Sequence, residues 1–125
     1  MRLKTLLEQS PVLRGASRLT DTQEEDVIII PHDKVTSELS KAGAKDWTVE
    51  TKKGVFQIKT IRKFDDYKKT MKFVNDVAKI SEKLDHHPDI FFNYDTVKIE
   101  IYSHSHKAVT TKDIEFADAV SKKQN

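Results

Sequence analysis

From Asp65 to Leu84 the hydrophobic pattern has a helical period. At about 100° per residue, Tyr67, Met71, Val74, Val77, Ala78, Ser81 and Leu84 fall on one side, and Phe73 and Ile80 widen it. Lys68, Lys72, Asp76, Lys79 and Lys83 fall opposite. So wide an apolar arc exceeds what one sheet face needs, which predicts a further contact with a second helix or a partner subunit.

The flanking segments read differently. Asp33 is placed to cap a short helix of about residues 34–42, with Val35, Leu39 and Ala42 on its apolar face and Gly43 to end it. Trp47, Thr48 and Val49 start a strand, Lys53 and Gly54 make a turn, and residues 55–61 alternate as a second strand. Residues 91–94 and 96–103 predict a second strand pair joined by turn residues, with Val97, Ile99 and Ile101 inward and Lys98, Glu100 and Tyr102 outward. Thr110 followed by Asp113 forms a capping box for a last helix with Ile114, Ala117 and Val120 on one face. Val27-Ile28-Ile29-Ile30, closed by Pro31, predicts a short strand or edge pairing.

Two hairpins separated by a helix favour an α+β domain. The order α-β-β-α-β-β-α predicts a four-stranded antiparallel sheet with three helices packed on one face, the other face being solvated or covered by another subunit.

Composition narrows the possibilities. The 125 residues are 37% hydrophobic and 34% charged, which suits one small domain. The boundary is placed near Pro31, with residues 1–32 as an N-terminal extension and 33–125 as the domain. A formal charge of +2 gives no electrostatic case for direct nucleic-acid binding. The absence of cysteine excludes disulfides, zinc-thiolate sites and thiol nucleophiles. No apolar run approaches the roughly 20 residues that span a bilayer, so no membrane partner is expected and a cytoplasmic protein is. Arg2, Lys4, Arg14 and Arg18 against the single acid Glu8, with Leu3, Leu6 and Leu7, give the opening a transit-peptide flavour. Organelle targeting therefore stays open, although an extension that packs or frays is the preferred reading.

Chemistry concentrates in Glu82-Lys83-Leu84-Asp85-His86-His87-Pro88, where the long helix ends. The negative end of the helix dipole favours protonated imidazole, so two histidines there can share acid and base duties. Pro88 disfavours helical backbone at His87 and turns the two rings in different directions. Glu82, one turn earlier, can orient an imidazole through its N–H or be an ordinary surface acid. His104, at the end of the last strand, can approach the same turn. His104 and His106, two apart, could instead join His86 or His87 around zinc or nickel. His32 has no chemical neighbours and reads as a surface residue. Trp47, Tyr94 and Tyr102 could line a pocket, but strand aromatics are more often core or interface.

The combination of Glu82 to Pro88, a following Tyr94, His104 seventeen positions after His87, and Asp113 nine after that resembles the signature of the pterin-4a-carbinolamine dehydratases. The resemblance covers about residues 33–121. It implies a dimeric or tetrameric α+β protein that dehydrates 4a-hydroxytetrahydropterin to quinonoid dihydropterin in tetrahydrobiopterin recycling, with no metal or organic cofactor. It implies His86, His87 and His104 around the substrate, Glu82 as a supporting carboxylate, and substrate contacts from Pro88, Ser103, Ser105, His106 and Asp113. Some members also bind a homeodomain transcription factor, which makes a coactivator-type binding protein with a nuclear pool the alternative function. Two departures from the family pattern stand out. Ile90 replaces a frequent tryptophan, and residues 105–109 lack the usual glycine before the last helix.

Overall fold

The computed structural model describes residues 27–123. Its elements are α1 (His32–Lys41), β1 (Thr48–Lys52), β2 (Val55–Lys63), α2 (Tyr67–Leu84), β3 (Asp89–Phe92), β4 (Thr96–Ile101) and α3 (Thr111–Ser121). The strands form one antiparallel sheet in the order β1-β2-β4-β3, so the element order and sheet are those expected. The transit-like opening lies outside the described residues.

Strand register explains the core. Ile58 sits opposite Ile101, Thr60 opposite Ile99, and Ile90 opposite Ile99, and the two-residue period puts all of them on one face. Val35 and Leu39 of α1, Phe73, Val77 and Ile80 of α2, and Phe116, Ala117 and Val120 of α3 cover that face. The wide arc of α2 meets α3 as well as β4, which supplies the second helix.

The core face of α2 is rotated from the expected one. Its buried line is Thr70, Phe73, Val77, Ile80 and Ser81, whereas Tyr67 and Ala78 are exposed and Met71 and Val74 half-buried. Thr70 holds a core position because its hydroxyl lies 2.9 Å from the carbonyls of both Asp66 and Tyr94. A polar side chain is buried at little cost when its hydrogen bonds are made.

Element ends also moved. Pro31, not Asp33, is the N-cap of α1; Asp33 lies in the first turn, and no side chain caps the helix. Proline's fixed φ suits a helix start, and its carbonyl accepts from Lys34 N–H at 2.8 Å. β3 is Asp89–Phe92 rather than residues 91–94, because Asn93 Oδ1 accepts from the amides of Asp95 and Thr96 and makes the turn one step earlier. Tyr94 is thereby left on that turn, stacked on Tyr67. Trp47 is core, edge-on to Phe116, and the exposed His32 stacks on Phe56. β4 stops at Ile101; Ser103 pairs separately with Ala108 as the chain turns through residues 104–107.

The outer sheet face carries charge. Glu100 is buried there and pairs with Lys52 at 3.0 Å and Lys98 at 3.5 Å, while Lys59 pairs with Glu50 at 2.8 Å. Among the described residues no helix is long and apolar enough to cross a membrane.

Residues 27–30, counted with the extension in the sequence reading, are hydrogen-bonded to the domain. Ile29 bridges Thr110, Ile30 N–H donates to the Val109 carbonyl at 2.9 Å, and Thr111 N–H donates to the Ile28 carbonyl at 3.0 Å. The edge pairing expected of this β-branched run therefore forms against the entry to α3.

Candidate active site

The site begins with a helix termination. Asp85 caps α2 in the left-handed region (φ 51°, ψ 47°), and His86 N–H returns to the Ser81 carbonyl at 3.0 Å. This reversal, followed by Pro88, takes His86 and His87 off the helix axis. Their rings then find different carboxylates. His86 Nε2 lies 2.5 Å from Asp113 Oδ1, and His87 Nε2 lies 2.8 Å from Glu82 Oε2.

The two pairs differ in environment. Asp113 is fully buried, and its Oδ2 accepts from Thr110 N–H at 2.8 Å and from the Ser103 hydroxyl at 2.9 Å. The capping box of α3 is therefore complete, and the same carboxylate also holds His86. His86 and Phe116 stand edge to face, with ring centroids 6.4 Å apart. The Glu82–His87 pair is open to solvent, and exposed pairs of this kind are weakly held.

The carboxylates assign the ring protons. An ionised carboxylate only accepts, and opposite one, Nε2 of each imidazole is the donor. Nδ1 of each ring is in no hydrogen bond with the other described residues.

His86 and His87 line a cleft of about 260 Å³ together with His104, His106, Ser103 and Ser105. Glu82, Pro88 and Asp113 do not line it; Glu82 and Asp113 reach it through the two histidines they hold. Ser103 is buried, and its hydroxyl is engaged by Asp113 and, at 2.7 Å, by Thr110. His104 is presented on a turn and stacks on Tyr102 with ring centroids 4.3 Å apart. In that turn Lys107 adopts φ 51°, so a left-handed residue is present where the usual glycine is missing. Among the described residues no group of three or more His, Asp or Glu side chains could hold a metal ion.

A family model described as pterin 4 alpha carbinolamine dehydratase matches residues 30–123. The chain belongs to this family. A relative from Gloeobacter violaceus, provisionally named pterin-4-alpha-carbinolamine dehydratase 2, is 35% identical over 91 residues, covering 70% of this chain and 99% of that protein. One from Sulfolobus acidocaldarius, provisionally named for the same activity, is 35% identical over 78 residues, covering 62% of this chain and 81% of its own. Among solved structures, a transcriptional coactivator/pterin dehydratase from Brucella melitensis superposes with a TM-score of 0.65 at 28% identity, covering 75% of this chain and 96% of that one. A pterin dehydratase-like RuBisCO assembly factor of the alpha-carboxysome shares the fold, with a TM-score of 0.52 at 22% identity over 63% of this chain and 93% of its own.

Sequence reasoning missed three residues lining this dehydratase-family cleft: Val27, Asp85 and Lys112. Asp85 lies within the signature stretch and Lys112 adjoins Asp113, so both were within reach of a sequence argument. Val27 was not, because only the pairing of residues 28–30 with 109–111 brings it there.

Proposed function

We propose that the protein dehydrates 4a-hydroxytetrahydropterin to quinonoid dihydropterin, as a hydro-lyase in tetrahydrobiopterin recycling. The observation that carries this reading is the pair of imidazoles at one cleft, each held through Nε2 by its own carboxylate with Nδ1 left free.

The reaction needs little else. Protonated imidazole gives its Nδ1 proton to the 4a-hydroxyl, the carbon–oxygen bond breaks, and water leaves. Neutral imidazole takes the proton of the adjacent ring N–H through Nδ1, and that electron pair forms the new carbon–nitrogen double bond. One proton enters and one leaves, so the protein ends with the proton count it began with. His104 and the hydroxyl of Ser105 would bind and orient the ring, while Asp113 and Glu82 hold the two rings in orientation through Nε2 and fix the tautomer of the neutral one.

Stopped-flow ultraviolet absorbance of 4a-hydroxytetrahydropterin decay tests the proposal. Acceleration by the wild type, lost in a folded His86→Ala/His87→Ala variant, is the expected result. No acceleration by the wild type would sink it.

A second reading, a binding protein that self-associates or docks a partner through α2, is favoured by Tyr67 and Tyr94. Their rings stack at 6.2 Å and are 47% and 62% exposed, beside the half-buried Met71. The Brucella protein's name pairs coactivator with dehydratase. Monomeric scattering at micromolar concentration would remove self-association from this reading.

A further inference from the structure

We infer that residues 27–30, which mostly precede the segment matched by the family model, form a strap that completes the binding cleft, with Val27 as its apolar wall. The inference rests on the pterin reading for the identity of the ligand, but not for the placement of the strap.

Three observations place it. Val27 lines the cleft that holds His86, His87 and His104, and it is the only aliphatic side chain doing so among the described residues. The strap is anchored by a short ladder: Thr111 N–H to the Ile28 carbonyl, Ile28 N–H to Thr111 Oγ1 at 3.3 Å, and Ile30 N–H to the Val109 carbonyl. Ile30 is buried in the core, which fixes the end of the strap away from the cleft. The family model begins at residue 30, so Val27, the strap residue that lines the cleft, lies outside the matched segment.

The chemistry of the ligand gives the strap a task. A reduced pterin has polar edges and a flat, largely apolar face. Imidazoles and hydroxyls can answer the edges, whereas the face needs a surface that does not compete for water. Val27 offers that surface beside the histidines. Anchoring at Thr110 and Thr111 places the strap against the N-cap of α3, the same turn that holds Asp113. The segment that anchors the wall is therefore the one that carries the histidine support.

The experiment uses the full chain, with Val27→Asp and Val27→Ile as variants and circular dichroism to establish folding. Imidazole ring signals in NMR spectra report whether Val27 adjoins the histidines. Affinity for 7,8-dihydrobiopterin, a stable reduced pterin, reports whether it contacts ligand. We expect displaced His86, His87 or His104 ring signals in Val27→Asp, and about tenfold weaker binding from loss of the apolar contact. Val27→Ile should bind like the wild type. Unmoved ring signals would overturn the inference, as would unchanged affinity in Val27→Asp when the wild type binds. If the wild type binds no dihydrobiopterin, the pterin reading fails and the ring signals alone decide whether the strap forms the wall.

Discussion

His86 Nε2 and Asp113 Oδ1 lie 2.5 Å apart, joining the turn after α2 to the first turn of α3 across 27 residues of sequence. One carboxylate serves two ends. Its Oδ1 orients an imidazole, and its Oδ2 caps the helix that carries it. The buried partner is the more constraining one, since Asp113 has no water to exchange with and every bond it accepts is fixed by the fold.

Asp113→Asn should separate these roles. The amide retains an oxygen for one contact but offers hydrogens where the carboxylate accepted, so His86 loses its tautomer control. We expect turnover to fall by about 10–100-fold, on the scale of lost orienting carboxylates elsewhere. The weakened cap should cost about 1 kcal/mol of stability. Steady-state kinetics beside urea denaturation checks both; full turnover with only the stability loss would reduce Asp113 to a cap.

The single histidine variants should be unequal to Glu82→Gln. His87→Ala, and to a lesser degree His86→Ala, should lower turnover by about 10²-fold or more, the usual range for a removed acid–base group. Glu82 is 79% exposed and its pair with His87 is open to water, so Glu82→Gln should cost less than either. A Glu82→Gln loss as large as that of His87→Ala would show that the exposed carboxylate acts on substrate directly.

Lys107→Gly should stabilise the protein. Lys107 sits at φ 51° with an exposed side chain, and the left-handed region strains any residue bearing a Cβ. Relief of that strain, less the greater chain entropy of glycine, leaves a gain of about 0.5–1 kcal/mol. A thermal midpoint unchanged or lowered by the substitution would mean that Lys107 makes compensating contacts.

Glu50 predicts an acid-sensitive increment of stability. The hydrogen bond from Lys59, helped by the Gln57 amide, holds its carboxyl below the ordinary value. A lowered folded-state value stabilises above the unfolded value and is lost as pH falls through the folded one. Glu50→Gln should therefore lower the urea midpoint slightly at neutral pH, and the difference should vanish in acid. A difference that persists in acid would indicate lost packing instead of lost charge.

The capping box at Thr110 and Asp113, the end of α2 at Leu84 and the hairpin turn at Lys53 and Gly54 were all legible, because each depends on residues within a few positions of one another. The face of α2 was less so. Periodicity ranked Tyr67 and Met71 above Thr70, but the carbonyl of Tyr94, 24 residues away, gave the Thr70 hydroxyl a buried partner. Asp113 shows the same limit: capping explained it fully, and nothing local in the sequence pointed to the imidazole it also holds. Ser103 read as a substrate contact; it lines the cleft, and what only the fold shows is that Thr110 and Asp113 hold its hydroxyl.

The sequence by itself determined the element order, the antiparallel α+β architecture and the cluster of imidazoles at a helix end, since hydrophobic period, caps and turns are short-range properties of the chain. Only the tertiary structure decided which carboxylate holds which histidine, which nitrogen each ring leaves free, and that Val27 reaches the cleft. The two carboxylate–histidine pairs join residues 5 and 27 positions apart, and the pairing of Ile28 with Thr111 that carries Val27 to the cleft joins residues 83 apart. Apart from the near pair of Glu82 and His87, they depend on how the sheet and helices bring distant segments together, and no local pattern encodes that.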